Sequence, residues 1–531
     1  MFERAAIKDL LEWKNKSNRK PLILRGARQV GKTTAIEMFS KYFDNTIFLN
    51  MEEAAHRELF NEKLSFDDRI SAVLLFGSVP KDSKNTIVFI DEIQMSPQAI
   101  STLRYFHELT PHLFIVAAGS LLEAAIDTKA SFPVGRVEYL MMHPCTFREF
   151  ISALGETEML SLLDEIPLPA FAHQKALELF KKYMLIGGMP EAVATYSTTE
   201  DIVQVNSVYE SLLTSFLDDV EKYSKESFVR VIRHVIKSAF SEIGNRIKFQ
   251  GFGKSTYTSK EIHEAFELIQ KAMLMQLIYP ASSVKIPIVS DYKKSPKLLL
   301  LDSGLLHYQS GIQKEIFISQ KPEAVAYGRL IEHIAGQMIY SSFSNPSASI
   351  NFWAREKKQS NAEVDYIYQY RDRIIPIEVK SGPSGRLRSL HQFVDMTDHN
   401  YAVRLGDSLI SIENAVTVKG KQYKLLNMPW YLAEEIENYL KSVKTELNTY
   451  FSSVPGWATT DSDGNKHKII KNVSSGNKLK LEDTKNGIEN LTKAWNEHKK
   501  VMRDVFGKLG ITCSSSKKYK DFFDDTSTTL T

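Results

Sequence analysis

Apolar residues fall along the first part of the chain in short unbroken blocks, separated by longer stretches where they recur at intervals of three and four. The blocks are Leu22, Ile23 and Leu24, then residues 46–49, 86–90 (TIVFI) and 113–118. Blocks of this length, bounded by polar clusters such as residues 81–85, predict buried strands. The stretches between them carry helical periodicity, as do residues 1–14, which bring Leu10, Leu11 and Trp13 ahead of the first block. Strands alternating with helices predict a parallel sheet covered by helices, so an α/β fold is expected for residues 1–150.

Beyond residue 144 the pattern turns helical, with Phe147, Phe150 and Leu154 on one stripe, until GGMPEA at 187–192 interrupts it with two glycines and a proline. Residues 228–282 read as helix, loop with Gly251 and Gly253, and helix, followed by the segment 284–301; this order resembles a winged helix. Its second helix is expected to start from a Ser259 cap, to bury Ile262, Phe266, Ile269 and Met273, and to expose Lys260, His263, Glu264, Glu267 and Lys271. Residues 297–306 (KLLLLDSGLL) predict a strand and a turn, 327–340 an amphipathic helix, and 361–370 with 373–382 two strands joined at Arg371 and Asp372. Residues 451–475 are rich in Ser, Thr, Asp, Gly and Lys and read as a linker, and 487–509 as a helix with Ile488, Leu491 and Trp495 on its apolar stripe. Four regions are expected: 1–150, a helical and winged-helix region 151–300, an α/β region 301–440, and a linker with helical tail 441–531.

The length of 531 residues exceeds what one ordinary core supports and suits about three domains. Hydrophobic content of 43% and aromatic content of 11% are those of a globular protein. A net charge of +3 does not mark a nucleic-acid binder, so any such contact needs a local patch; Arg230, Arg233, Lys237, Arg246, Lys248 and Lys254 offer one. Cys145 and Cys513 stand far apart with no Cys-x-x-Cys pair, which argues against a disulfide framework or a structural zinc site. The charged N-terminus is unlike a secretory signal, and no apolar run approaches the ~18 residues of a membrane span. A cytoplasmic protein without a membrane partner is expected.

The chemistry concentrates after the first strand. Gly26, Ala27, Arg28, Gln29, Val30, Gly31, Lys32 and Thr33 spell G-x-x-x-x-G-K-[ST] between a strand and a helix, with Thr34 following. That setting is a phosphate-binding loop: backbone N–H groups and the helix N-terminus meet ATP phosphates, Lys32 reaches the β and γ phosphates, and the Thr33 hydroxyl binds Mg²⁺. The apolar strand 86–90 ends in Asp91, suited to the Mg²⁺ shell, and Glu92, suited to polarising the attacking water. Ser120, after the strand 113–118, is a candidate γ-phosphate sensor of the kind found in related ATPases, or part of a plain Gly-Ser turn. Arg136 is a candidate to stabilise transition-state charge in its own or a neighbouring subunit, or a solvated surface residue.

The segments GARQVGKT, IVFIDEIQ, AAGSLLEA and PCTFREF together resemble a family of bacterial and archaeal AAA-type ATPases, over roughly residues 1–440. The resemblance implies an ATPase domain, a helical and winged-helix region, and a C-terminal domain of uncharacterised role with a restriction-endonuclease-like core. Within the last, Asp365 on one strand and Glu378-x-Lys380 on the next resemble the PD-(D/E)xK nucleases, with Glu332 as a further acidic ligand for Mg²⁺. The same residues also read as a cross-strand salt bridge on a solvated hairpin. Trp353, Arg355, Tyr366 and Tyr368 are candidates for base stacking or for core packing. The expected function is Mg²⁺-dependent ATP binding and hydrolysis that controls the C-terminal domains. Two alternatives stand beside it: an ATP-regulated metal-dependent nuclease, and a non-catalytic nucleotide switch that binds a protein partner; DNA is a candidate partner. A homo-oligomer is compatible with each.

Overall fold

The computed structural model describes residues 2–119, 135–222, 226–311, 324–346, 348–357, 360–382 and 387–442, with 458–460 and 466–468. The chain divides into two compact units, Met1–Tyr439 and Leu440–Thr531. In the second, Ala458–Thr460 pairs antiparallel with Lys466–Lys468, a short hairpin where a linker was expected. The tail helix expected at 487–509 lies outside the described residues, as does Ser120.

The first unit opens with five strands: β1 Leu22–Arg25, β2 Asn45–Asn50, β3 Thr86–Asp91, β4 Phe114–Ala118 and β5 Glu138–Met141. They form one parallel sheet in the order β2-β3-β4-β1-β5. In β4, Ala117 pairs with Ile23 of β1 on one side and Ile90 of β3 on the other, so β4 separates the phosphate-loop strand from the acidic strand. Both faces are covered, which is why β3 and β4 are continuous apolar blocks with no polar alternation. One face packs Ile23, Ile47 and Ile90 against Ile100, Leu103 and Phe106 of the helix Pro97–Leu109. The other carries an aromatic cluster in which Trp13 and Phe43 meet Phe114 edge-on, at centroid distances of 6.1 and 4.9 Å. Each fully buried side chain of this size contributes about 1.5–3 kcal/mol, so the two faces fix the sheet firmly.

The helices that follow lead to a smaller assembly. The helices Glu226–Ala239 and Ser259–Lys271 precede β6 Met275–Ile278, β7 Pro280–Ala281 and β8 Lys297–Leu300; β6 and β8 pair antiparallel, and Arg246 bridges to Lys297. The helix Ser259–Lys271 is capped by Thr258, one residue before the expected Ser259, because the Thr258 hydroxyl and Glu261 form a reciprocal capping box. It buries Ile262, Phe266 and Ile269 as expected, but ends before Met273, which adopts a left-handed φ of 59°.

The C-terminal part of this unit holds β9 Asn351–Lys357, β10 Ser360–Tyr370, β11 Arg373–Val379, β12 Tyr401–Gly406, β13 Ser411–Val416 and β14 Gln422–Pro429. With β7 they form a seven-stranded mixed sheet, ordered β13-β14-β12-β11-β10-β9-β7. The antiparallel pair β10 and β11 is the predicted one, aligned Tyr366 to Ile377 and Tyr370 to Arg373. The stretch after β8 is the helix Ser303–Ser310, capped by Asp302, where sequence suggested only a turn. Among the described residues no helix is long and apolar enough to cross a membrane.

Candidate functional site

The phosphate loop leaves β1 at Arg25 and enters the helix Lys32–Ser40 through Gly31, whose φ of 88° is left-handed and strained for any residue with a Cβ. Ala27 and Val30 turn into the core, while Lys32 Nζ donates to the carbonyls of Gly26 at 3.0 Å and Ala27 at 2.8 Å. The loop is held from behind by a residue the sequence reading missed. Arg4 is buried and donates to the Val30 carbonyl at 2.8 Å, the His143 carbonyl at 2.8 Å and Glu149 Oε1 at 3.0 Å.

At the end of β3, Asp91 Oδ2 accepts the Thr33 hydroxyl at 2.8 Å and Asp91 Oδ1 accepts the Glu92 N–H at 3.0 Å. Glu92 itself is left-handed, with φ 48° and ψ 43°. The turn aims its carboxylate at Gln94, whose Nε2 donates to Glu92 Oε2. Burial raises the Glu92 pKa above the usual carboxylate range, and the Gln94 hydrogen bond opposes that rise. A hydroxyl and a carboxylate form an all-oxygen donor pair of the kind Mg²⁺ takes, with water and phosphate oxygens completing its shell. Thr33 and Asp91 would hold the ion, with the Glu92 carboxylate following directly on Asp91.

These groups open into one cleft of about 940 Å³, within the range of ligand sites. Arg28, Gln29, Gly31, Lys32, Thr33, Thr34, Asp91 and Glu92 line its floor. Phe2, Glu3 and Met38 line it too, as do Ser152 and Ala153 at the end of the helix Phe147–Ala153 and Pro190, Glu191 and Ala194 on the helix Pro190–Thr199. Arg136 is not there. It precedes β5, whose Glu138 pairs with Leu22 at the start of β1, and it forms an ion pair with Glu108 at the sheet end opposite the phosphate loop. The own-subunit role expected for Arg136 is therefore corrected: its side chain is at the wrong end of the strands.

The GGMPEA stretch, whose chemistry the sequence did not disclose, joins this cleft to the rest of the unit. Gly187 has a φ of 66°, and a Cβ there would lie 2.3 Å from Asp302 Oδ1. Asp302 is fully buried and accepts the N–H groups of Gly188 at 2.5 Å and Leu305 at 3.1 Å. Burial raises its pKa to about 6 despite those bonds. A second path runs along the helix Phe147–Ala153, whose first N–H groups, those of Phe147 and Arg148, donate to Glu434 at 3.2 Å each.

The C-terminal candidates do gather, with two partners the sequence reading did not include. Asp365 Oδ2 accepts the Val379 N–H at 2.8 Å, and Lys380 Nζ lies 2.6 Å from Glu378 Oε1. Glu332, on the helix Ala324–Ser341, lies 2.6 Å from Lys297 Nζ of β8, and Lys297 is also 2.6 Å from Glu363 Oε1 of β10. Trp353, Tyr366 and Tyr368 are core residues: Trp353 is wholly buried, Tyr366 donates to the Glu332 carbonyl at 2.9 Å, and Tyr368 stacks on Phe343. None of the three is exposed for base stacking. Arg355 contacts Met396 Sδ at 3.9 Å.

Residues 18–151 match the family described as an AAA domain, residues 177–316 a domain of unknown function, DUF8612, and residues 327–431 another, DUF4143. None of the curated proteins matches the chain in sequence. Among solved structures, a Walker-type ATPase of Pyrococcus abyssi is similar at 16% identity and TM-score 0.40, over 58% of this chain and 96% of its own. The Orc1 protein of Aeropyrum pernix in complex with DNA is similar at 14% identity and TM-score 0.26, over 59% and 93%. The RuvB Holliday junction branch migration motor of Thermotoga maritima is similar at 15% identity and TM-score 0.25, over 55% and 93%. The AAA domain match falls on the loop and strands that carry Lys32, Thr33, Asp91 and Glu92, and it supports an AAA-type P-loop ATPase region in residues 18–151.

Proposed function

We propose that this protein hydrolyses Mg²⁺-ATP and uses the nucleotide cycle to reposition its C-terminal region. The observation that carries the proposal is the meeting of Lys32, Thr33, Asp91 and Glu92 in one cleft that is also walled by the helices Phe147–Ala153 and Pro190–Thr199. Lys32 would turn from the Gly26 and Ala27 carbonyls to the phosphates, Thr33 and Asp91 would hold Mg²⁺, which would supply charge neutralisation at the phosphate oxygens, and Glu92 would take the proton of the water that attacks the γ phosphorus as its bond to the departing ADP oxygen breaks. Ser152 and Pro190 stand in the cleft while Glu434 and Asp302 hold the roots of their helices, so closure on nucleotide pulls on the later elements.

The region 301–440 is assigned a restriction-endonuclease-like core on the convergence of Glu332, Asp365, Glu378 and Lys380, and 151–300 a helical and winged-helix module on its helix, helix and β6/β8 order. The helix Ser259–Lys271 gives little support to major-groove reading, because Lys260 pairs with Glu264 and His263 with Glu267 along its outer face. A protein partner suits that mixed face better.

Phosphate release by wild type and Glu92→Gln, with and without DNA, tests the proposal. Turnover in wild type, lost in the variant while ATP is still bound, supports it. Negligible wild-type turnover with intact ATP binding rejects hydrolysis and leaves a nucleotide switch.

A further inference from the structure

We infer that the Lys297 ammonium is the resident cation of the cluster formed by Glu332, Glu363, Asp365 and Glu378, standing where a divalent metal ion would bind and masking a latent cation site. The inference is independent of the ATPase reading, since none of these residues lines the nucleotide cleft.

Lys297 reaches the cluster from outside it. It opens β8, which pairs with β6 and not with the sheet that carries Glu363, Asp365 and Glu378. Its side chain is 6% exposed, and its Nζ makes two contacts of 2.6 Å, to Glu332 Oε1 and Glu363 Oε1. Lys380 Nζ meets Glu378 Oε1 at 2.6 Å, while Glu378 Oε2 is buried with no hydrogen-bond partner.

An ammonium satisfies two carboxylates at the distance of a hydrogen bond, whereas Mg²⁺ or Mn²⁺ needs about six oxygens drawn closer around one point. With Glu332 and Glu363 committed to Lys297, no group of three metal-binding side chains is arranged for an ion among the described residues. With Lys297 in place, Glu332 and Glu363 are engaged and not free to hold a metal ion for phosphodiester cleavage. Glu332, Glu363, Asp365 and Glu378 are all oxygen donors, which fits Mg²⁺ or Mn²⁺ and not a soft metal.

Thermal unfolding with Mn²⁺ or with chelator tests this, in an Asp91→Asn background that removes the acidic ligand of the nucleotide cleft. With Lys297 present, Mn²⁺ is expected to leave Tm unchanged. Lys297→Met is expected to lower Tm in chelator, and Mn²⁺ to restore it, with one ion bound per chain by calorimetry. Lys297→Met/Glu332→Gln, which removes the charge and its counter-charge together, is expected to fold without Mn²⁺ and to ignore it. Equal Mn²⁺ binding with Lys297 intact would overturn the inference. So would a Lys297→Met chain that Mn²⁺ cannot restore while the double variant folds.

Discussion

The hydroxyl of Thr33 and the carboxylate of Asp91, fifty-eight residues apart in sequence, are joined by a 2.8 Å hydrogen bond across the mouth of the phosphate loop. The bond closes the position where both groups would face Mg²⁺. Asp91→Asn keeps a hydrogen-bonding side chain there but loses the charge. Steady-state turnover is expected to fall about 10²-fold or more, and binding of metal-free nucleotide in chelator to hold.

Gln94 is expected to act on Glu92 through its pKa. Its hydrogen bond favours the ionised carboxylate against the rise imposed by burial. In Gln94→Ala that help is gone, so the folded pKa rises further and the base is protonated at higher pH. The acid limb of the kcat profile is expected to move to higher pH than in wild type. An unmoved limb would mean that Glu92 does not set the profile.

Arg4 is a buried cation bound to a buried anion, Glu149, and to two carbonyls. Arg4→Met leaves the Glu149 carboxylate with only the Ala5 and Thr146 N–H groups and no counter-charge, and is expected to cost about 3–5 kcal/mol in denaturant unfolding. Arg4→Met/Glu149→Gln should recover part of that loss. Both variants should bind ATP more weakly, since the Val30 carbonyl loses its anchor.

The pH dependence of stability is tied in part to Asp302. Its folded pKa, about 6, lies above the ordinary 3.8, so its contribution is fully present below about pH 4 and is lost as pH rises to about 6. In Asp302→Asn this loss is absent. Whatever the variant loses in backbone hydrogen bonds, its stability relative to wild type should improve between pH 4 and pH 6, by on the order of 2 kcal/mol. Urea midpoints measured across that range check the slope.

The candidate nucleotide cleft was legible in outline because its residues are nearly contiguous: Gly26 to Thr34 form one loop, and Asp91 and Glu92 follow a conspicuous apolar block. Local sequence specifies such features through turn geometry and strand burial. The partners that complete them are set by tertiary approach. Arg4 looks like any charge on an opening helix, and Lys297 like the polar edge of KLLLLD, until β8 carries it against Glu332 and Glu363. The strand β5 was missed because EYLM has no apolar block, and the displacement of Arg136 followed from β5 running parallel to β1. Gly187 and Gly188 were visible as a break in the helices, but only the Asp302 carboxylate at their backbone explains them.

Ala117 stands in register with Ile23 in the strand of one ligand set and with Ile90 in the strand of the other, yet lines no part of the cleft. With neighbouring strands about 4.8 Å apart, β4 sets a gauge of about 10 Å between the strand that launches Thr33 and the strand that ends in Asp91. A bulkier residue at Ala117 would press on the one layer it faces, that of Ile100, Leu103 and Phe106, and shift that gauge, which is expected to detune metal affinity from outside the cleft. The caliper of the site is thus a small, chemically inert side chain, and selection on catalysis should reach it through its size.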